Sequence, residues 1–111
     1  MRSVARLVIL WTRPYHLAAE EAETWAQQEV GRLLAVDAVG HAQLTRLRSV
    51  SLRHPRDWDW MLEIHLTPGS TADDCVNAAA FAEWLSDLRL LGMHPSVLLA
   101  DDGIVRCREG R

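Results

Sequence analysis

The stretch 57–66, "DWDWMLEIHL", alternates almost without fault. Trp58, Trp60, Leu62, Ile64 and Leu66 fall on one parity, and Asp57, Asp59, Met61, Glu63 and His65 on the other. Successive side chains of a strand point to opposite sides, so this pattern predicts a strand with two unlike faces over 58–66. Residues 4–12, "VARLVILWT", are short, β-branched and apolar and close at Arg13-Pro14, which predicts another strand. Leu7, Ile9 and Trp11 form one of its rows and Arg6, Val8, Leu10 and Thr12 the other. Both rows are largely apolar, so both faces are expected to be covered. Residues 41–52 alternate more loosely, and "RHPRD" after them is a turn that Pro55 keeps out of a ladder. Together 41–66 predict a hairpin. "PSVLLA", 95–100, predicts a further strand.

Two segments carry the helical period instead. Residues 16–35 are rich in Ala, Glu, Gln and Leu, and Ala18, Ala22, Trp25, Ala26, Leu33 and Leu34 fit a stripe at three and four spacing. Glu20, Glu21 and Glu23 sit early and Arg32 late, as the helix dipole favours, while Gly31 is a weak point. Residues 36–40 then turn. Thr71 followed three residues on by Asp74 is a variant N-cap signature, and a helix is expected from there to about Leu91. Val76, Ala80, Phe81, Trp84, Leu85 and Leu88 form its apolar stripe, and Gly92 is placed to cap its end. Ser70 and Thr71 read as caps and not nucleophiles, because no G-x-S-x-G frame surrounds them.

The order strand, helix, strand, strand, helix, strand predicts an α+β chain, a ferredoxin-like βαββαβ unit with a four-stranded antiparallel sheet. Right-handed crossovers place both helices on one face of it. After the "DDG" turn at 101–103, "IVRCR" is a short fifth strand or a tail. At 111 residues, 49% of them hydrophobic, the chain is expected to be one domain, 1–111, with a real core. If Leu7, Ile9 and Trp11 meet the helices, the open face carries Val8, Leu10 and Met61 beside Arg6, Glu63 and His65. That mixture is too apolar for a face left in water. A twofold homodimer burying sheet against sheet would cover it.

Composition narrows the chemistry. The net charge of −3 and a pI near 5.9 argue against a nucleic-acid surface. All twelve basic residues are Arg, which removes Schiff-base and P-loop lysine chemistry. Cys75 and Cys107 have no C-x-x-C spacing and read as free thiols of a reducing compartment. Arg6 interrupts the apolar N-terminal run and no small-residue cleavage site follows, so it makes a poor signal peptide. No stretch has the length of a membrane span. A cytoplasmic protein without membrane contact is expected.

The element order resembles that of the dimeric α+β barrel proteins, which include antibiotic-biosynthesis-type monooxygenases, small polyketide cyclases and stress-responsive barrel proteins. The likeness covers about residues 4–100. Its most suggestive piece is "LLAVDAVGHAQLTRL", 33–47, similar to the hydrophobic–Gly–strand entry of those proteins. The resemblance implies two sheets packed face to face and a pocket in each subunit between its sheet and its helices or loops. It transfers no catalytic residue, because no catalytic signature is matched.

Candidate site residues come from the strands themselves. Glu63 and His65, two apart, project from one face. With the hairpin turn centred near 55, Arg48 is expected opposite Glu63 and Arg46 opposite His65; a slip of one residue puts both arginines on the tryptophan face. In the first register His65 is a proton-transfer residue, Glu63 its orienter and Arg46 or Arg48 an anion anchor. The same residues also read as a cross-strand ion pair and a neutral His within an interface. Trp58 and Trp60 are a ligand-pocket wall or a cap on the core. Arg13, Tyr15 and His16 cluster at the first strand–helix junction, where Tyr15 offers a hydroxyl and His16 a base, or they form a solvated loop. His41 adds a third ligand position near Glu63 and His65, but His16, His54 and His94 are scattered, no zinc-like spacing appears, and neither metal nor cofactor is expected. The expectation is thus a small homodimeric barrel protein. It is a cofactor-independent oxygenase, cyclase or isomerase acting on an organic metabolite, a non-catalytic ligand-binding or regulatory dimer, or a purely structural homodimer.

Overall fold

A computed structural model describes residues 6–13, 16–48, 58–100, 106 and 108. Its elements run β1 (Arg6–Trp11), α1 (Ala19–Leu33), β2 (Val39–Arg46), β3 (Trp60–Leu66), α2 (Ala72–Val76), α3 (Ala79–Leu90) and β4 (Ser96–Ala100). The sheet order is β2-β3-β1-β4, with every neighbouring pair antiparallel. This is the ferredoxin-like α+β arrangement that the sequence order predicts. Tyr15, Asp57, Cys107, the turn at Pro55, the end of the strand expected to reach 52 and the 101–103 turn lie outside the described residues. So does most of the candidate fifth strand.

The helix ends follow local chemistry. The Ala18 N–H donates to Glu21 Oε1 at 3.0 Å, which ties the first turn of α1. Thr71 and Asp74 form a reciprocal capping box at the start of α2, at 3.2 and 2.9 Å. At the end of α3 the Met93 N–H reaches the Leu88 carbonyl and the Gly92 N–H the Arg89 carbonyl, both at 3.0 Å. Gly92 takes φ +77°, so the helix closes in a Schellman motif that a residue with a Cβ adopts only with strain.

One expectation is corrected here. The helix expected from Thr71 to Leu91 is two helices, broken at Asn77-Ala78, where Ala78 is extended (φ −70°, ψ 137°). In a continuous helix Cys75 and Phe81, six residues apart, would point in different directions. The break resets the phase, and both are fully buried. Val76, placed on the apolar stripe by its spacing, is only half-buried.

The core lies between the sheet and the helices. Leu7, Ile9 and Trp11 of β1 and Trp60, Leu62 and Ile64 of β3 face it, with Ala26 and Leu33 of α1 and Phe81, Trp84 and Leu88 of α3. Trp11 and Trp84 meet edge to face, 5.6 Å between centroids and 83° between planes. Among the described residues the Trp84 Nε1 is buried without a hydrogen-bond partner. Ala18 and Leu34, counted in the α1 stripe by spacing, are exposed at its two ends. Arg32 ties α1 to α3, donating to Asp87 Oδ2 at 2.7 Å and pairing with Glu29, and these two carboxylates raise its pKa further.

The registers fix the faces. β1 pairs with β3 as Leu7↔Ile64, Ile9↔Leu62 and Trp11↔Trp60. β2 pairs with β3 as His41↔His65, Gln43↔Glu63 and Arg46↔Trp60, after a bulge between Val39 and His41. Gly40 sits in that bulge, where an added Cβ would stand 3.1 Å from the His65 carbonyl oxygen. The expected partners of Glu63 and His65 are therefore corrected: Gln43 replaces Arg48 and His41 replaces Arg46. The hairpin is displaced by an odd number of residues, and an odd displacement carries every β2 side chain to the other face. Arg46 stands on the helix-covered, tryptophan side.

Candidate functional site

Two regions of the sheet collect the chemistry-bearing residues, and they lie on opposite faces. The first is the mouth of the helix-covered side, at the end of the sheet where β1 exits and β3 enters. The ladder runs slightly past the strands there: the Leu47 N–H donates to the Asp59 carbonyl at 2.8 Å and the Asp59 N–H to the Trp11 carbonyl at 2.9 Å. Asp59 Oδ2 also accepts the Arg13 backbone N–H at 2.7 Å, fixing the exit of β1. A cavity of about 470 Å³ opens at this end, lined by Arg13, Ala19, Arg46, Leu47, Arg48, Asp59 and Trp60.

The lining has a clear chemical polarity. Three arginines and one aspartate share the lining with Ala19 and Trp60, and polar surface outweighs apolar in it. Arg46 is paired with Glu23 of α1 at a loose 3.5 Å, and both side chains are about half exposed. Among the described residues, Arg48 makes no ion pair. Such a mouth attracts anions, and guanidinium forks bind carboxylates with two parallel hydrogen bonds.

Of the residues singled out from sequence for ligand contact, Arg46, Arg48 and Trp60 come together here. Trp58 is half-buried two residues before Trp60 and is not part of the described wall. Arg13, from the cluster expected at the first strand–helix junction, also lines it, and Ala19, Leu47 and Asp59 join the wall without having been expected there. The signal for the arginines was present in parity, since Ala42, Leu44, Arg46 and Arg48 share one row and its apolar members belong inside. His16 is exposed at the junction ahead of α1.

The second region is the open face. There Arg6 Nε donates to Glu63 Oε2 at 2.9 Å across the β1–β3 diagonal. His41 and His65 stack with centroids 4.2 Å apart and planes 11° apart. Among the described residues no hydrogen bond joins Glu63 to His65, so Glu63 is oriented by Arg6 and His65 by His41. Val8, Leu10 and Met61 lie half-buried beside them, and Leu98 of β4 is half exposed. Neither this face nor the mouth gathers three or more His, Cys, Asp or Glu side chains that could hold a metal ion among the described residues. No helix is long and apolar enough to cross a membrane among them.

No protein-family model and no curated protein matches the chain. Solved structures do match in fold. The chain is similar to an ethyl tert-butyl ether D (EthD) family protein from Bacillus halodurans, with TM-score 0.69 and 10% identity over 90% of this chain and 99% of that one. It is similar to SnoaB, a cofactor-independent oxygenase from Streptomyces nogalater, with TM-score 0.59 and 14% identity over the whole of both chains. It is also similar to a dimeric ferredoxin-like protein of unknown function from Thermobifida fusca, with TM-score 0.62 and 8% identity over 92% of each chain. At these identities the likeness is one of fold, a ferredoxin-like α+β fold with a four-stranded antiparallel sheet.

Proposed function

We propose that this chain is a homodimeric α+β barrel protein that takes a small organic metabolite into the mouth of its helix-covered side. The observation that carries the reading is the cavity of about 470 Å³, lined by Arg13, Arg46 and Arg48 together with Ala19 and Trp60. That volume and mixture suit a metabolite-sized ligand. In this reading the open face, with the Arg6–Glu63 pair and the stacked His41 and His65, is where two copies associate. The dimeric state of a protein of the same fold supports it.

The cofactor-independent oxygenase of the same fold favours a second step, in which the bound metabolite also reacts in the mouth. The described lining supplies groups that hold and stabilise an anion. His65 and Glu63 serve the association instead, since the sheet stands between them and the cavity.

A thermal-shift and tryptophan-fluorescence screen of aromatic and aliphatic organic metabolites tests the ligand site. Stabilising compounds are expected, and Ala19→Phe, which fills the cavity from the start of α1, is expected to abolish their effect. Compounds that stabilise wild type and Ala19→Phe equally, or a screen without any, would overturn the reading.

A further inference from the structure

The charges around the mouth say more than that it is roomy. Arg46 and Arg48 are two apart on one parity, so they project to the same side of the sheet with Cα atoms roughly 6–7 Å apart. One turn above them on α1, Ala19 and Glu23 lie four residues apart and so share a helix face. Ala19 lines the cavity, and Glu23 reaches Arg46. The Glu23 contact is long at 3.5 Å and both partners are about half exposed. An exposed pair of that kind contributes at most about 1 kcal/mol and exchanges readily. A ligand carboxylate in the cavity would find Arg48 without an ion-pair partner among the described residues, and Arg46 held only by this weak internal one.

We infer that the mouth recognises an organic carboxylate, seated on Arg48 and Arg46 with its apolar body against Trp60 and Ala19, and that Glu23 is a built-in competitor which the carboxylate displaces from Arg46. This rests on the mouth being the ligand site. Carboxylates suit it because each of their two oxygens can accept from one planar guanidinium. The competition sets a distinctive sign: removing the charge of Glu23 strengthens ligand binding, whereas neutralising an ordinary contact residue weakens it.

The test uses probes of one shape and different charge. 2-Naphthoate, its neutral isostere 2-naphthamide and 2-naphthyl phosphate are titrated calorimetrically at pH 7.5 and fixed ionic strength into wild type, Glu23→Gln, Arg48→Met and Ala19→Phe. Arg48 is exposed and Glu23 half-buried, and circular dichroism and the melting temperature check that each variant folds as wild type does. Naphthoate is expected to bind about tenfold more tightly than naphthamide, the margin of roughly one charged hydrogen bond. Glu23→Gln is expected to tighten naphthoate by about threefold or more and to leave naphthamide within about twofold. Arg48→Met is expected to remove the preference for the anion. Equal binding of naphthoate and naphthamide, or Glu23→Gln that weakens naphthoate, overturns the inference while the cavity stays a ligand site, provided Ala19→Phe abolishes binding. Tight binding of the phosphate alone overturns the carboxylate assignment. No binding by any probe, or undiminished binding by Ala19→Phe, removes the ligand site and the inference with it.

Discussion

Met61 and Leu62 are neighbours in the chain and belong to different surfaces. Leu62 is fully buried under α1 and α3, in a layer that ends at the basic mouth. Met61 is half-buried on the open side, in a layer that ends in Glu63, His65 and their partners. The covered side is apolar through its middle and polar only at its rim, where Arg13, Arg46 and Arg48 meet water. The open side interleaves charge, imidazole and aliphatic carbon throughout. A pocket needs the first arrangement, because apolar walls hold the body of a ligand and a few polar groups orient it. An interface tolerates the second, because each polar group there can be paired across strands or across subunits.

Truncation of these two side chains should have the most unequal effects. Leu62→Ala should cost about 2–5 kcal/mol of folding stability, since it empties space in the packed layer. Met61→Ala, read by urea denaturation of dilute protein, should cost about 1 kcal/mol or less and should instead weaken self-association. Equal losses for the two variants would mean that the faces are not different in kind.

Leu98→Asp is the sharper test of the open face. It sets a carboxylate among Val8, Leu10 and Met61, and sedimentation velocity at micromolar concentration should show a monomer with unchanged circular dichroism. Burying an unpaired charge costs enough to lower association by about a hundredfold or more. A dimer that survives the substitution would place the interface elsewhere. The Arg6–Glu63 pair should show a smaller effect. A double-mutant cycle with Arg6→Met and Glu63→Gln should give a coupling of about 1 kcal/mol or less in dilute monomer, as for exposed ion pairs. A larger coupling is expected under dimeric conditions, where water is excluded.

The smallest expected effect concerns the covered side. Burial pushes the Cys75 thiol above its ordinary value of 9.0. The native chain therefore keeps the proton where the unfolded chain releases it. The corresponding stability is complete below about pH 9 and declines as pH rises through the native value. In a Cys107→Ser background the melting temperature should fall more steeply between pH 8.5 and 10 than it does with Cys75→Ala as well. A soluble disulfide reagent should leave Cys75 untouched until the chain unfolds. Immediate reaction of native Cys75 would contradict its burial.

Much of this was legible in the residues. Alternation in β1 and β3, the stripes of α1 and α3, the Thr71 box and the Gly92 cap each depend on a few neighbouring side chains, so local pattern alone determined them. From those elements the order βαββαβ and the side occupied by the helices followed by the handedness of crossovers. The two faces of β3 were also correct from parity.

Pairing was another matter. Which residue of β2 stands opposite Glu63 depends on a loop and a bulge at Gly40, and each added or removed residue exchanges the faces of a whole strand. Arg46 thereby moved from the side of His65 to the mouth, and Arg6, placed on the open face by parity, turned out to hold Glu63. The break at Asn77-Ala78 was likewise invisible, because Ala-rich sequence favours helix on both sides of it and only packing demands that Cys75 and Phe81 both turn inward. Which elements form, and which rows of side chains are apolar, are properties of neighbours in the chain and could be read from the residues. The tertiary structure decided which charged groups meet, since register and helix phase are settled by contacts between residues far apart in sequence.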